Sequence, residues 1–402
     1  MPTSSGPNTA AESNIIFSYD VGDTSNSYRG QPTTNAVGNL NSFNPLDLYT
    51  WASSGNTSTW SRDTTAMLSP VKGIPLKEIS SGTDSYSSTY NNPGNNISAA
   101  SSGQIWTVSV YALAAAGTNL QIWIFGSNSS GNYIELSVNN FTATGTWQRI
   151  SVTRAFANGS TAYVQARVAT ATNGATVWWD GLQVEQKSYP TQFTVGTRSV
   201  TQGLVPLIGN STIDLSNISF NSAAQITYDG TDDHIDLGSL GTIGTTYSIE
   251  CVFNSSNVVN YRNVFDMNYA TYSGVTGNVG PRLEQYSDGT ITVIWSGITN
   301  NNGLAVNTPV TPISANTNYH MVFTQDGNKG SIYLNGAYKS QNGNTYSYIQ
   351  TFGDVNLGRG FELAGDRYFA GSLPLFKIYN VALSAEQIKQ NYQKYKSRFN
   401  LS

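Results

Sequence analysis

The sequence predicts an all-β protein, built as antiparallel sandwiches and finished by one α-helix. Three observations carry that expectation. Of its 402 residues only 11% are charged while 12% are aromatic, and Gly, Ser, Thr and Asn make up much of the remainder; such a composition suits half-buried pleated surfaces. Apolar and polar residues alternate in many short runs. Asn-Gly and Asp-Gly pairs, which tolerate the positive φ that tight hairpins need, separate those runs.

The same composition excludes several classes. Disordered chains combine few aromatics with high net charge, whereas this chain has 24 Tyr, 15 Phe and 8 Trp at a net charge of -4. Long helices need an Ala/Glu/Lys/Leu/Arg-rich composition. Twenty Lys and Arg spread along the chain leave no basic footprint, so no nucleic-acid partner is expected. The most apolar stretch, Ile105 to Phe125, is broken by Gly117, Thr118, Asn119 and Gln121, so no membrane insertion is expected. The single cysteine, Cys251, lies in a strand-like alternation and reads as a small buried apolar residue.

In chain order, residues 1–13 read as an N-terminal arm and Asn14 to Tyr19 as a short strand. Strands follow at Ile105 to Tyr111, Leu120 to Phe125, Trp147 to Val152, Ala162 to Val168 and Thr176 to Val184, with turns such as Asn158-Gly and Asn173-Gly between them. Ser188 to Phe193 marks a boundary. Beyond it strands recur at Ser219 to Tyr228, Thr246 to Phe253, Asn263 to Met267, Thr290 to Trp295, Tyr319 to Gln325, Lys329 to Leu334, Asp354 to Leu357 and Leu373 to Tyr379. The helix opens on the capping box Ser384-Ala-Glu-Gln. Ile388, Tyr392, Tyr395 and Phe399 give it an apolar stripe that predicts packing on the sandwich, the alternative being a docking face for another subunit.

From Ser219 onward the chain resembles the laminin-G-like, concanavalin-A-like jelly rolls. The residues that carry this are Ile226-Thr-Tyr-Asp-Gly-Thr-Asp-Asp-His-Ile-Asp-Leu-Gly, Tyr247-Ser-Ile-Glu-Cys-Val-Phe, Tyr319-His-Met-Val-Phe-Thr, Ile332-Tyr-Leu-Asn-Gly, Val355-Asn-Leu-Gly-Arg and the ending from Ala370. That ending, through Gln390-Asn-Tyr and Lys396-Ser-Arg-Phe, is similar to tailed-bacteriophage structural proteins. Family members often carry an acidic pair where this chain has Leu373-Pro374-Leu375. The middle block resembles carbohydrate-binding-module jelly rolls of the family 4/9 kind, through Trp106-Thr-Val-Ser-Val-Tyr-Ala, Gly145-Thr-Trp-Gln-Arg-Ile-Ser-Val and Val177-Trp-Trp-Asp-Gly-Leu-Gln-Val-Glu.

Together these resemblances imply two antiparallel jelly-roll β-sandwiches plus the C-terminal helix. Residues 31–195 would form the carbohydrate-binding-module-like one and 196–402 the laminin-G-like one. Residues 14–30 resemble the opening strand of phage laminin-G-like domains, and the usual continuation looks more like Leu207 to Asn217. On that reading the middle sandwich is inserted into a loop of the C-terminal one.

Signals for chemistry are sparse. His234 and His320 have no metal-spaced partner and read as structural. Glu250, Glu284 and Glu362 are isolated, whereas a glycosidase needs two carboxylates flanking one bond. No enzymatic activity and no required cofactor are therefore expected. A structural calcium is what the family 4/9 resemblance implies at Asp180, although the glutamate that usually joins it is missing from Asn41-Ser-Phe-Asn-Pro. The run Asp229-Gly-Thr-Asp-Asp reads either as turn chemistry or as a hard-cation site. Aromatics are the better clue. Sugar rings stack their C–H faces on exposed Trp and Tyr, and amides bind their hydroxyls. Trp51, Trp60, Tyr86 and Tyr90 lie in Ser/Thr/Asn-rich segments and are the candidates, while Trp106, Trp147 and Trp178 read as core or inter-sheet residues.

The resulting expectation is a non-enzymatic virion protein: a capsid decoration, head fibre or tail-fibre adhesin displaying glycan-binding-like sandwiches. Its partners would be other virion proteins, host cell-surface glycans and further copies of itself. The N-terminus has no basic or apolar run of a secretory signal, so synthesis in a host cytoplasm and release by lysis are expected. The alternatives are a virion-associated polysaccharide depolymerase and a cellular lectin.

Overall fold

A computed structural model describes residues 12–37, 48–50, 59–63, 75–81, 85–89, 97–267, 269–272, 275–278, 280–295, 304–307, 312–327, 329–341, 350–360 and 367–401. It is nearly all-β, with multiple antiparallel sheets and one long helix. The chain divides into two compact units. One, here the terminal unit, joins residues 1–30 to 200–221 and 225–402; the other, the middle unit, comprises 31–199 with 222–224.

In the terminal unit an eight-stranded sheet runs Ser219–Phe220, Ile226–Asp229, Ala370–Tyr379, Thr246–Ser255, Asn318–Asp326, Gly330–Leu334, Ala337–Gln341, with Ile15–Asp20 also paired to Ala370–Tyr379. A six-stranded sheet runs Ile235–Asp236, Asn356–Leu357, Arg262–Asp266, Arg282–Gln285, Ile291–Trp295, Leu304–Asn307. Alternation explains how the core fills. Tyr247, Ile249, Cys251 and Phe253 point inward to meet Phe265, Leu283, Ile291 and Val293. Val252, of opposite phase, packs instead with Tyr392 and Tyr395 of the helix Ala385–Lys396.

The helix starts where the capping box predicts. Ser384 Oγ accepts from Gln387 N at 3.3 Å, and Ser384 N donates back to Gln387 Oε1 at 2.8 Å. Ile388, Tyr392 and Tyr395 of the stripe are buried on the sheet. Phe399 lies past the helix end in a turn, half-buried, with its ring 6.0 Å from Tyr395.

The strand Ile15–Asp20 joins this unit through pairs running from Ile15↔Tyr379 to Asp20↔Leu375, and buries Phe17 and Tyr19 in its core. Arg398 clamps Asp20 with two charge-assisted bonds, so the first strand is also tied to the turn after the helix.

In the middle unit a six-stranded sheet runs Tyr133–Thr142, Asn119–Ser127, Tyr163–Thr170, Ser85–Thr89, Leu48–Thr50, with Ser98–Ala99 beside Tyr163–Thr170. A five-stranded sheet runs Gln148–Ala155, Ile105–Ala114, Thr176–Glu185, Leu76–Ile79, Thr59–Arg62. Leu120, Ile122 and Ile124 of one sheet and Val108 and Val110 of the other share the core. The strand pair Thr33–Thr34 with Thr197–Arg198 brings the two ends of this unit side by side.

The tryptophans correct one expectation. Trp106 is in the core, but Trp147 is only half-buried. In Val177-Trp-Trp the inward phase falls on Val177 and Trp179, both fully buried, so Trp178 points the other way and donates to Asp63 Oδ2 at 2.9 Å. Trp179 Nε1 donates to the buried Glu78 Oε2 at 2.9 Å.

Glu135 stitches the two edges of the middle sandwich. It takes Arg154 Nη2 at 2.9 Å, the N–H of Ala157 at 3.1 Å and the Thr161 hydroxyl. Burial alone would raise its pKa, but these donors outweigh burial and lower it. Glu135→Gln is expected to destabilise the protein by about 1–2 kcal/mol, since a charge-assisted acceptor becomes a neutral one. The urea midpoint of the middle unit is the measurement that checks it.

Candidate functional site

The outward face of the six-stranded sheet in the middle unit carries the strongest constellation. Strand Asn119–Ser127 alternates as far as Ile124: Leu120, Ile122 and Ile124 are fully buried in the core, and Gln121, Trp123 and Phe125 take the opposite face, where Gln121 and Trp123 are half-buried and Phe125 is covered, 4% exposed. Trp123 and Phe125 stack at 5.7 Å with planes 7° apart, and Tyr133 continues the ladder at 4.7 Å from Phe125. Arg167 pairs with Trp123 in the adjacent strand and lays its guanidinium 4.9 Å from the Phe125 ring, which stiffens the ladder from one side.

Amides flank the rings. Gln121 Nε2 donates to Asn140 Oδ1 at 2.8 Å in the open, and Gln165 Nε2 donates to Ser127 Oγ at 3.1 Å. Tyr133 and Leu136 are 38% and 45% exposed, so the ladder reaches solvent at the sheet edge. The Trp123 indole N–H has no hydrogen-bond partner among the described residues. Phe125 is covered by Trp123, Tyr133 and Arg167, so the half-buried Trp123 indole and the exposed Tyr133 ring are what a pyranose could meet, with the Gln121 and Asn140 amides available to its hydroxyls.

This surface differs from the one expected. Trp51 and Tyr90 lie outside the described residues. Tyr86 belongs to strand Ser85–Thr89 and stands opposite Ala169, two positions along from the Arg167↔Ser88 pair. Trp60 belongs to strand Thr59–Arg62 and stands opposite Glu78 in the other sheet. Trp60 and Tyr86 therefore stand in different sheets. Both sit in short Ser/Thr-rich strands, and nothing local says which sheet such a strand joins. Trp123, Phe125 and Tyr133 were missed, yet the signal was present: the Leu120-Gln-Ile-Trp-Ile-Phe alternation puts an aromatic pair on the face that also carries Gln121.

Several buried carboxylates are engaged by hydrogen-bond donors or cations. In the terminal unit Glu250 takes His320 Nε2 at 2.7 Å and the Tyr379 hydroxyl at 2.5 Å, and Lys377 Nζ lies 2.5 Å from the Tyr395 hydroxyl. This cluster lies between the sheet and the helix. Burial raises the Glu250 pKa, but the hydrogen bond and charge of His320, the Lys377 charge and the Tyr379 hydroxyl bring it down to about 2. Glu284 is held by Arg367 and by Arg282 at 3.6 Å. The partners of both glutamates here are basic or hydroxyl groups; Glu362 lies outside the described residues. In the middle unit Glu185 accepts from Thr33, Gln183 and Thr191. Asp354 is pushed up to about 6 by burial and then by the adjacent Asp236.

Two places were considered for a cation. Asp180 is buried and its Oδ1 accepts from Gly181 N at 2.8 Å. Among the described residues it joins no cluster of three ligand side chains, and Asn41 to Pro45 lie outside those residues. The carboxylates of Asp229, Asp232 and Asp233 do converge within 4.8 Å and could hold a hard cation. Backbone N–H groups already occupy part of that set: Asp233 Oδ2 accepts from Asp229 N, and Asp229 Oδ1 from Thr231 N, both at 2.7 Å.

Residues 229–389 match the model of the concanavalin A-like lectin/glucanases superfamily, a span of less than half the chain. No curated protein matches the sequence. Among solved structures, a heptameric SAP-like pentraxin from Limulus polyphemus is 16% identical at a TM-score of 0.32, covering 40% of this chain and 78% of that one. The receptor-binding domain of botulinum neurotoxin D is 15% identical at 0.36, covering 49% and 51%, so the chain spans about half of it. Domain 4 of an extracellular arabinanase from Geobacillus stearothermophilus, solved with arabinotriose, is 15% identical at 0.32, covering 46% and 82%.

Proposed function

We propose that the chain is a non-enzymatic glycan-binding protein and that it binds through the aromatic face of the middle unit. The observation that carries this is the Trp123–Phe125–Tyr133 ladder, exposed at its Tyr133 end and half-buried at Trp123, where Gln121 and Asn140 lie alongside. Glu185, Glu250 and Glu284 speak for binding rather than hydrolysis, since each is already held by hydrogen bonds or ion pairs and a general acid or base must be free to exchange a proton; the Asp236–Asp354 pair is the one a depolymerase reading would use. The carrier we propose is a bacteriophage virion, with the chain as capsid decoration, head fibre or tail-fibre adhesin. Support for this is the likeness of Gln390-Asn-Tyr and Lys396-Ser-Arg-Phe to tailed-phage structural proteins. Its partners on that reading are virion proteins, further copies of itself and host-surface glycans.

A glycan array probed with the full chain tests the binding. Selective signal on a small set of glycans is expected, unchanged by chelator, because the only cluster of three ligand side chains among the described residues lies in the terminal unit. A blank array would overturn the reading. Release of new reducing ends from a bound polysaccharide would replace it with the depolymerase. Immunogold labelling of purified particles tests the virion placement, and bare particles would reject it.

A further inference from the structure

The terminal unit holds a cavity of about 350 Å3 where the strands Ile226–Asp229, Thr246–Ser255 and Ala370–Tyr379 meet. It is lined on one side by Leu373 and Pro374 and on the others by Thr227, Asn254, Ser256 and Ser372. None of the side chains lining it is ionisable.

Its walls are fixed by backbone. Gly371 pairs with both Tyr228 and Ser255, and Ser256 N donates to Ala370 O at 2.9 Å. Gly371 has φ +148°, and a Cβ there would stand 1.9 Å from Asn254 O, so only glycine lets the two strands approach this closely. Val21 N donates to Pro374 O at 2.8 Å and closes one end.

Its polar groups keep bonding capacity. Asn254 Nδ2 donates to Asn318 Oδ1 at 3.0 Å, which orients the amide and leaves its Oδ1 as an acceptor. The Thr227 hydroxyl donates to Gly371 O at 3.3 Å and retains its lone pairs. The hydroxyls of Ser256 and Ser372 make no hydrogen bond to any described residue. A wholly apolar guest would leave these groups unmet, and a charged guest would find no counter-charge in the lining. Ligand pockets begin at roughly this size, with a few placed polar groups on an apolar wall.

We infer that this cavity is a second saccharide site, selective for a neutral hydroxylated ring of mono- or disaccharide size. It is separate from the aromatic face of the middle unit and does not depend on it.

Calorimetric titration of the full-length Trp123→Ala protein tests the inference with methyl glucoside, methyl galactoside, N-acetylglucosamine and glucuronate as probes. At least one neutral probe is expected to bind with millimolar affinity, and glucuronate about tenfold more weakly or not at all. Ser372→Tyr, which fills the cavity, should abolish that binding. Ser256→Ala with Ser372→Ala adds no bulk and should weaken it about tenfold through two lost hydrogen bonds. The inference is overturned by silence from all three neutral probes, by equal binding of glucuronate, or by binding that survives both sets of cavity changes. Binding lost in Trp123→Ala but kept in the cavity variants would overturn it while leaving the middle-unit reading intact.

Discussion

Glu250→Ala is expected to lower the stability of the terminal unit by about 3–5 kcal/mol, the range for breaking a buried ion pair from one side. Glu250 is fully buried, as is His320, and removal of the carboxylate strands the His320 Nε2, the Tyr379 hydroxyl and the Lys377 charge beneath the helix at once. Glu250→Gln keeps the shape and one acceptor and should cost less. The sign of the pH dependence follows from the direction of the shift. The folded pKa, about 2, lies below the ordinary 4.5, so the unfolded chain takes up the proton first as pH falls. The stabilisation is complete above about pH 4.5 and is lost as pH falls toward 2, a swing of about 3 kcal/mol. Calorimetry at pH 7 and pH 3 checks this, with the transition of the middle unit as internal control. A terminal-unit transition equally acid-sensitive in the wild-type and Glu250→Gln proteins would show that another group sets the acid limb.

Trp123→Ala should weaken glycan binding by at least about 30-fold, the effect of truncating a central aromatic worth about 2 kcal/mol. The half-buried ring is the solvent-reaching part of this face nearest the amides: it stacks on the covered Phe125 and borders Gln121 on its own strand and Val138 on the next. The change should leave the fold intact, because Leu120, Ile122 and Ile124 hold the strand from the other side. Trp60→Ala, in the five-stranded sheet, should leave binding unchanged and serves as the control. Equal losses in the two variants would mean that the surface lies elsewhere.

How much of this was legible in the sequence follows from the range over which each signal acts. Strand and helix signals are local. The Leu120 alternation and the Ser384-to-Gln387 box each announce themselves within a few residues, and both elements stand where expected. Phase within a strand is finer: Trp178 and Trp179 are neighbours, and only the burial of Val177 decides which enters the core. Partnership is not local at all. Glu250 meets His320 across 70 positions and Tyr379 across 129, and nothing near any of them marks the meeting. The same limit separated Trp60 from Tyr86, whose strands join different sheets.

The pairing of Ile15–Asp20 with the strand that ends at Tyr379 also dictates the order of events during synthesis. Tyr19 hydroxyl and Leu373 carbonyl, 354 positions apart, meet at 2.9 Å. The nascent strand must therefore wait, with Phe17 and Tyr19 uncovered, until nearly the whole chain has left the ribosome. Residues 31–199 emerge in between and can collapse as a unit during that wait. At roughly 5–20 residues per second the delay lasts tens of seconds, and long-range pairing of this kind is slow in itself. A ribosome stalled before residue 370 would leave Ile15–Asp20, Ile226–Asp229 and Thr246–Ser255 all without the strand they share, so unpaired sticky edges would persist while the middle unit had already folded.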